Sequence, residues 1–389
     1  MAVKTPIYLD NHATTRVDPR VVDAMIPYFT ERYGNAASRQ HEFGWVADAA
    51  VETARVQIGS LVGAEPGEIV FTSGATESIN LAIKGVCEYY AFRGNHIITA
   101  RTEHRAVLDT CRRMERSGFR VTYLDVDRFG CVALGAIEES ITDKTILVTL
   151  MAANNEIGTL APIEEIGRLC AAHGILFHTD ATQAVGKMPV DNRRWRADLI
   201  SFSSHKMYGP KGIGALVVRS TKPRIGLAPQ MDGGGHEHGL RSGTLNVPGI
   251  VGFGKAAVLA QEELPSESER TKALRDKLVS GLKAHLEELK VNGHPEYRLP
   301  NNANITLRGV RADKLMMDMK DVAVSSGSAC SSSLPEPSHV LLALGLTEDE
   351  VLSSIRIGVG RFTTEEEIEY AVKRIVETAR HGETLTVNA

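Results

Sequence analysis

The stretch from Thr145 to Met151 is nearly continuous apolar sequence. A strand with one wet face alternates apolar and polar residues, so an unbroken run reads as a strand buried on both faces. Such strands belong to parallel sheets covered by helices on either side. The flanking sequence repeats the theme. Ile69–Thr72, His96–Thr99, Val121–Leu124, Ile175–Thr179, Asp198–Phe202 and Gly214–Val218 read as further strands. Gly74–Tyr90, about His104–Ser117 and Ile163–His173 carry apolar residues at helical spacing. The alternation predicts an α/β fold with a mostly parallel central sheet.

After residue 262 the pattern changes. Glu263–Leu289 is charged and reads as a helix with Pro265 near its start. Asn304–Leu307 and Ser354–Val359 read as strands, and Glu365–Ala379 as a closing helix capped by Thr363 or Thr364. The expected division is a large α/β domain over 15–260 and a smaller α+β domain from 1–14 and 261–389. A chain of 389 residues suits about two domains of ~150 residues each. Ser325–Ser333 is Ser/Gly-rich and offers little to pack, so the region around 325–337 reads as a mobile loop.

Composition narrows the partners. The net charge of −4 provides no basic excess for nucleic acid. No run approaches the ~20 apolar residues of a membrane span. The N-terminus resembles neither a signal nor a transit peptide. The five cysteines include no C-x-x-C pair, which argues against a disulfide framework or structural zinc and for a reducing, cytoplasmic setting.

Chemistry-bearing residues gather at the predicted strand ends, where open α/β sheets bind ligands. Lys206 follows one strand, beside Ser203, His205 and the glycine run 209–214. Asp180 ends another, with Gln183 three residues on. An amine able to hold an aldehyde and a carboxylate able to pair with a pyridinium nitrogen are the groups pyridoxal phosphate most needs. Gly74-Ala75-Thr76 opens a helix after a strand, a place for an anion, with Thr76, Ser203 and His205 as side-chain donors. His104 could stack on a ring and move protons, and Asn155 follows the Thr145–Met151 strand. Each also fits a plainer reading. Lys206 could be a solvated surface lysine; Asp180, His104 and Asn155 could be caps or turn residues.

Cys87, Cys111 and Cys170 fall in predicted helices and read as small core residues. Cys330 stands instead among serines and glycine, where a nucleophilic thiol would need help to ionise. His236-Glu237-His238 lacks a third spaced ligand and is weak as a metal site; no metal is expected. Arg356 is the best guanidinium for gripping a carboxylate with two bonds.

In their order along the chain, these residues resemble the cysteine desulfurases of the iron–sulfur cluster assembly type. These are class V aminotransferase-like pyridoxal phosphate enzymes. The resemblance rests on Tyr8-Leu9-Asp10, Ala13-Thr14-Thr15, Thr72–Ser78, Thr102-Glu103-His104, Asn154–Gly158, Asp180–Gln183, Ser203–Gly214, Gly233–Glu237, Arg241–Thr244, Ser325–Cys330 and Ser354-Ile355-Arg356. The Ser-Ser-Gly-Ser-Ala-Cys run matches the long-loop group. Ala36, where the family usually has proline, and Pro335 at the loop base depart from it.

The resemblance implies a homodimer that takes L-cysteine to L-alanine. Lys206 would carry the cofactor, with Asp180 on its ring nitrogen, Gln183 on its hydroxyl and His104 stacked on the ring. Ala75, Thr76, Ser203, His205 and a partner-donated Thr244 would hold the phosphate, and Asn155 and Arg356 the substrate carboxylate. Cys330 would receive the sulfur as a persulfide for a scaffold or other acceptor protein. A selenocysteine lyase or other β-eliminating relative, which needs no Cys330, is the alternative. A relative that has lost its cofactor is another.

Overall fold

A computed structural model describes residues 3–220, 222, 224–326 and 337–386, with side chains through residue 380. Twelve strands are present among them. They are β1 (Ile7–Tyr8), β2 (Ile69–Thr72), β3 (His96–Ala100), β4 (Arg120–Leu124), β5 (Thr145–Thr149) and β6 (Leu176–Asp180). β7 (Leu199–Ser203), β8 (Gly214–Val218), β9 (Leu289–Asn292), β10 (Asn302–Leu307), β11 (Val322–Ala323) and β12 (Ser354–Gly358) complete the set.

Seven of them form the large sheet, in the order β2-β8-β7-β6-β5-β3-β4. Every neighbouring pair from β7 across to β4 is parallel, and β8 is the one strand running opposite to the other six. All five residues of β5 are buried, as its unbroken apolar sequence predicts. Alternate residues feed two apolar layers: Phe71 and Ile98 enter one, Val70 and Ile97 the other. Cys87 and Cys111 pack in the second layer and Cys170 in the first. Burial raises these thiols, Cys87 and Cys170 to about 12, so all three stay protonated.

The smaller unit is the antiparallel sheet β12-β10-β9 with the helix Glu365–Thr386. It has its own apolar cluster, which Ile7 and Leu9 join from the N-terminus.

The region around residue 260 departs from expectation. One helix, Val247–Lys283, runs through it without a break, and Pro265 lies inside the helix instead of near its start. Gly249, Gly252 and Gly254 give its first half a poor helix propensity of about 1 kcal/mol each. Packing overrides that cost. A Cβ on Gly252 would lie 2.5 Å from Met25 Sδ, and one on Gly254 2.7 Å from Ala54 Cβ. The bare backbone is what lets the helix settle against Glu42–Val62. At the other end the helix stops at Lys283, and Leu289 opens β9.

Candidate active site

The parallel strands place their carboxyl ends along one edge of the large sheet, and the candidate residues collect there. Asp180 ends β6. Its Oδ1 accepts the Thr182 N–H at 2.9 Å. It is 7% exposed, and no cation pairs with it among the described residues. A buried carboxylate without a countercharge is costly, so the position suits an incoming cation such as a protonated pyridine nitrogen.

Beyond β7 the chain makes a single tight turn over Ser204–Lys206. The Lys206 amine donates to the main-chain carbonyls of His12 at 2.5 Å and Ala13 at 2.7 Å. The N-terminal segment therefore reaches across to the amine. Thr15 strengthens the junction: its hydroxyl donates to the His205 carbonyl at 2.9 Å and accepts the Tyr208 N–H at 2.8 Å.

Ala75 opens the helix Ala75–Tyr90, which no side chain caps. Gly74 precedes it at φ 155°, in the region that favours glycine. A Cβ on Gly214 would lie 2.6 Å from the Gly74 Cα, and one on Gly74 3.8 Å from Ser203 Oγ. Glycines thus bring the bare helix start against the ends of β7 and β8. Thr76 is exposed there. His205 Nδ1 lies 3.0 Å from Thr14 Oγ1. Burial, then Lys206 and Lys211, lower this imidazole to about 4, so at neutral pH it offers a hydrogen bond and no charge. Thr244 is exposed, three residues beyond Arg241, whose Nε donates to Glu77 at 2.8 Å.

His104 both caps and faces the cleft. Its Nδ1 accepts the Ala106 N–H at 3.1 Å, so the capping reading of the sequence holds. The ring is solvent-accessible, yet crowding by protein lowers its pKa, with Asp180 opposing the shift and Lys206 adding to it. The ring is therefore a neutral aromatic face within reach of both charges.

The opposite wall comes from the smaller unit. Arg356, 7% exposed on β12, donates from Nη1 to the Asn155 carbonyl and from Nη2 to Asp10 Oδ1, both at 3.0 Å. Asp10 Oδ1 also accepts from Ser325 Oγ at 3.0 Å. Arg356 Nε and Asn155 Oδ1 are buried without partners among the described residues. Two unmet polar atoms on one wall suit a polar ligand. Each Nη also keeps a second N–H, so a carboxylate could still be gripped twice.

Several residues here have no role in the sequence reading. Asp10 anchors Arg356. Glu103 is buried, with one oxygen on the Met151 N–H at 2.7 Å and the other unpartnered. Burial, reinforced by Asp180, raises it well above the carboxylate range. His12 bonds Gln183, the residue the resemblance assigns to the cofactor's ring hydroxyl. His12 fills the two-residue gap between Asp10 and Ala13, which was its one available signal.

Glu237 is committed elsewhere, to Arg55 at 2.9 and 3.0 Å and the Phe71 N–H at 2.7 Å. No cluster of three metal-ligating side chains occurs among the described residues. Cys330 lies outside the described residues. None of the described helices is long and apolar enough to cross a membrane.

Comparison with known proteins identifies the family. A family model described as aminotransferase class-V matches residues 7–371. A protein named cysteine desulfurase IscS from Anaeromyxobacter sp. (strain Fw109-5) is 57% identical over 378 residues, covering 97% of this chain and 93% of the relative. One of the same name from Escherichia coli O139:H28 (strain E24377A / ETEC) is 55% identical, covering 96% and 92%. Among solved structures, a NifS-like protein superposes with a TM-score of 0.90 at 39% identity, covering 97% of this chain and all of the other. A structure titled SspA in complex with cysteine gives 0.81 at 37%, covering 92% of this chain. The chain belongs to the class-V aminotransferase family, among its cysteine desulfurases.

Proposed function

We propose that this chain is a pyridoxal phosphate-dependent cysteine desulfurase. It converts L-cysteine to L-alanine and passes the sulfur, as a persulfide on Cys330, to an acceptor such as an iron–sulfur scaffold protein. The observation that carries the reading is the buried Asp180, which pairs with no cation among the described residues, on the same sheet edge as the Lys206 amine.

Bound there, pyridoxal phosphate supplies an electron sink for negative charge at the substrate α-carbon. Asp180 would keep the ring nitrogen protonated, Gln183 would donate to the ring hydroxyl, and His104 would lie against the ring. Ala75, Thr76, Ser203 and His205 would hold the phosphate through neutral donors. Arg356 and Asn155 orient the substrate carboxylate. Lys206 Nζ would take the α-proton of the substrate. The Cys330 thiolate bonds to the substrate sulfur. The carbon–sulfur bond breaks with its electron pair left on carbon, and protonation gives alanine.

A second copy completes the phosphate site with its Thr244. The exposed aromatic residues Phe29, Tyr33, Phe43 and Trp45, 49–65% accessible, offer a face for such pairing. The enzyme acts in the cytoplasm, with residues 15–260 forming the cofactor domain and 1–14 with 261–389 the smaller one.

Borohydride reduction and peptide mapping should find a pyridoxyl group on Lys206. Cys330→Ala should stay yellow and release no sulfide from cysteine. Undiminished turnover in that variant would favour a β-eliminating lyase, and a Lys206 that traps nothing a fold relative without cofactor.

A further inference from the structure

His12 is 2% exposed and meets the two groups expected to touch the cofactor ring. Its main-chain oxygen accepts from Lys206 Nζ at 2.5 Å and from Gln183 Nε2 at 3.1 Å. Its ring Nδ1 lies 3.0 Å from Gln183 Oε1. These contacts fix what hydrogens must be where. A carbonyl oxygen only accepts, so the Gln183 atom facing the His12 carbonyl is the amide nitrogen. The Gln183 oxygen then faces Nδ1, and an oxygen without hydrogen can bond only to a ring nitrogen that carries one.

The ring is consequently the Nδ1–H form, and Nε2 bears a lone pair. That Nε2 is buried and has no partner among the described residues. Arg356, Lys206 and Lys187 are the charged groups acting on the ring, all positive. With burial they lower it to about 3, so it stays neutral through the working range. Gly358 makes room for the ring: a Cβ there would lie 2.7 Å from His12 Cδ2.

We propose that His12 is a positioning residue. It clamps the Gln183 amide by both ends and leaves the second N–H of Gln183 Nε2 as the donor to the cofactor's ring oxygen, while its carbonyl gathers the Lys206 amine. Without the Nδ1–H, the His12 carbonyl alone holds the Gln183 amide, and its second N–H is no longer held on that ring oxygen. The inference rests on the cofactor reading above.

The test is a pH titration of the visible absorption band in the holoenzyme. Its midpoint reports the proton shared between the Lys206 nitrogen and the ring oxygen. A donor on the ring oxygen draws off the negative charge that holds this proton, so losing the donor raises the midpoint. His12→Phe, of similar size, should raise it by about one pH unit, tenfold in that equilibrium. His12→Asn places an amide nitrogen where Nδ1 stands and should restore most of the shift. His12→Gln, whose amide sits further out, should not. In a Gln183→Leu background the effect of His12→Phe should vanish.

An unmoved midpoint in His12→Phe, with pyridoxyl still trapped on Lys206, overturns the proposal and spares the cofactor reading. So does a shift that persists undiminished in Gln183→Leu. A wild-type chain that traps nothing on Lys206 overturns both. If His12→Phe does not fold, the contrast between His12→Asn and His12→Gln decides: equal midpoints overturn the proposal.

Discussion

Asp180, Ser203 and Lys206 stand on or just past the strand ends of one sheet, whereas Arg356 reaches the same cleft from the smaller sheet. The first group is held by its own strands and by Thr182, His12 and Ala13. The second leans more heavily on contacts between distant segments, although Lys206 and His12 are themselves 194 residues apart. Arg356 and Asp10 are 346 residues apart, and Ser325 and Asp10 are 315. The cofactor side is thus built by strand order, and the substrate side by polar bonds that a single side chain can undo. Loss on the first side should stop the chemistry. Loss on the second should weaken recognition and leave the chromophore alone.

The largest effect should come from Lys206→Ala, which removes the proton-moving amine and should lower kcat by about 10²–10⁴-fold in a cysteine-dependent sulfide assay. A variant that altered only KM would collapse the distinction. Arg356→Lys keeps charge but loses the planar fork. A charged hydrogen bond is worth about 1.5–3 kcal/mol, so KM for cysteine should rise about 10- to 150-fold with the visible spectrum unchanged. Asp10→Asn keeps an acceptor but removes the charge that steadies Arg356. The expected rise in KM is smaller, about three- to tenfold, or on the order of 1 kcal/mol; a change in the spectrum instead would move Asp10 to the cofactor side.

A separate effect, on stability instead of turnover, concerns acid. His12 and His178 are both lowered to about 3 from 6.5, and both lie on the cofactor side. Above pH 6.5 they are neutral folded and unfolded alike. As the pH falls from 6.5 toward 3 only the unfolded chain gains protons, so stability is lost, by up to about 1.4 kcal/mol per pH unit for each. Denaturant midpoints at pH 7 and 5 should show the decline. His178→Gln, which cannot take up the proton, should flatten it by about one proton's worth; an unchanged slope would contradict the assignment.

This difference in construction also decides what the sequence reveals. Asp180, Ser203 and Lys206 announce themselves because strand, turn and functional residue are contiguous. Ala75 and Thr76 do so because Gly74 marks the helix start. Asp10 and His12 give no such local signal, since their importance lies in reaching residues far along the chain. Gln183 is legible as a donor, but its clamp is not. The helix Glu42–Val62 was available in the spacing of Ala47, Val51, Ala54, Ile58 and Leu61. The first half of Val247–Lys283 was not, because its glycines argue against a helix until Met25 and Ala54 are seen to need the space.

That helix of 37 residues spans roughly 55 Å at 1.5 Å per residue. One half lies in the apolar layer of the large sheet, the other in the cluster of the smaller unit. Splitting the gene between the halves would therefore sever a shared beam and leave each product with a greasy stump. Fragment complementation, chimeras and cofactor-domain minimisation should accordingly carry this beam whole.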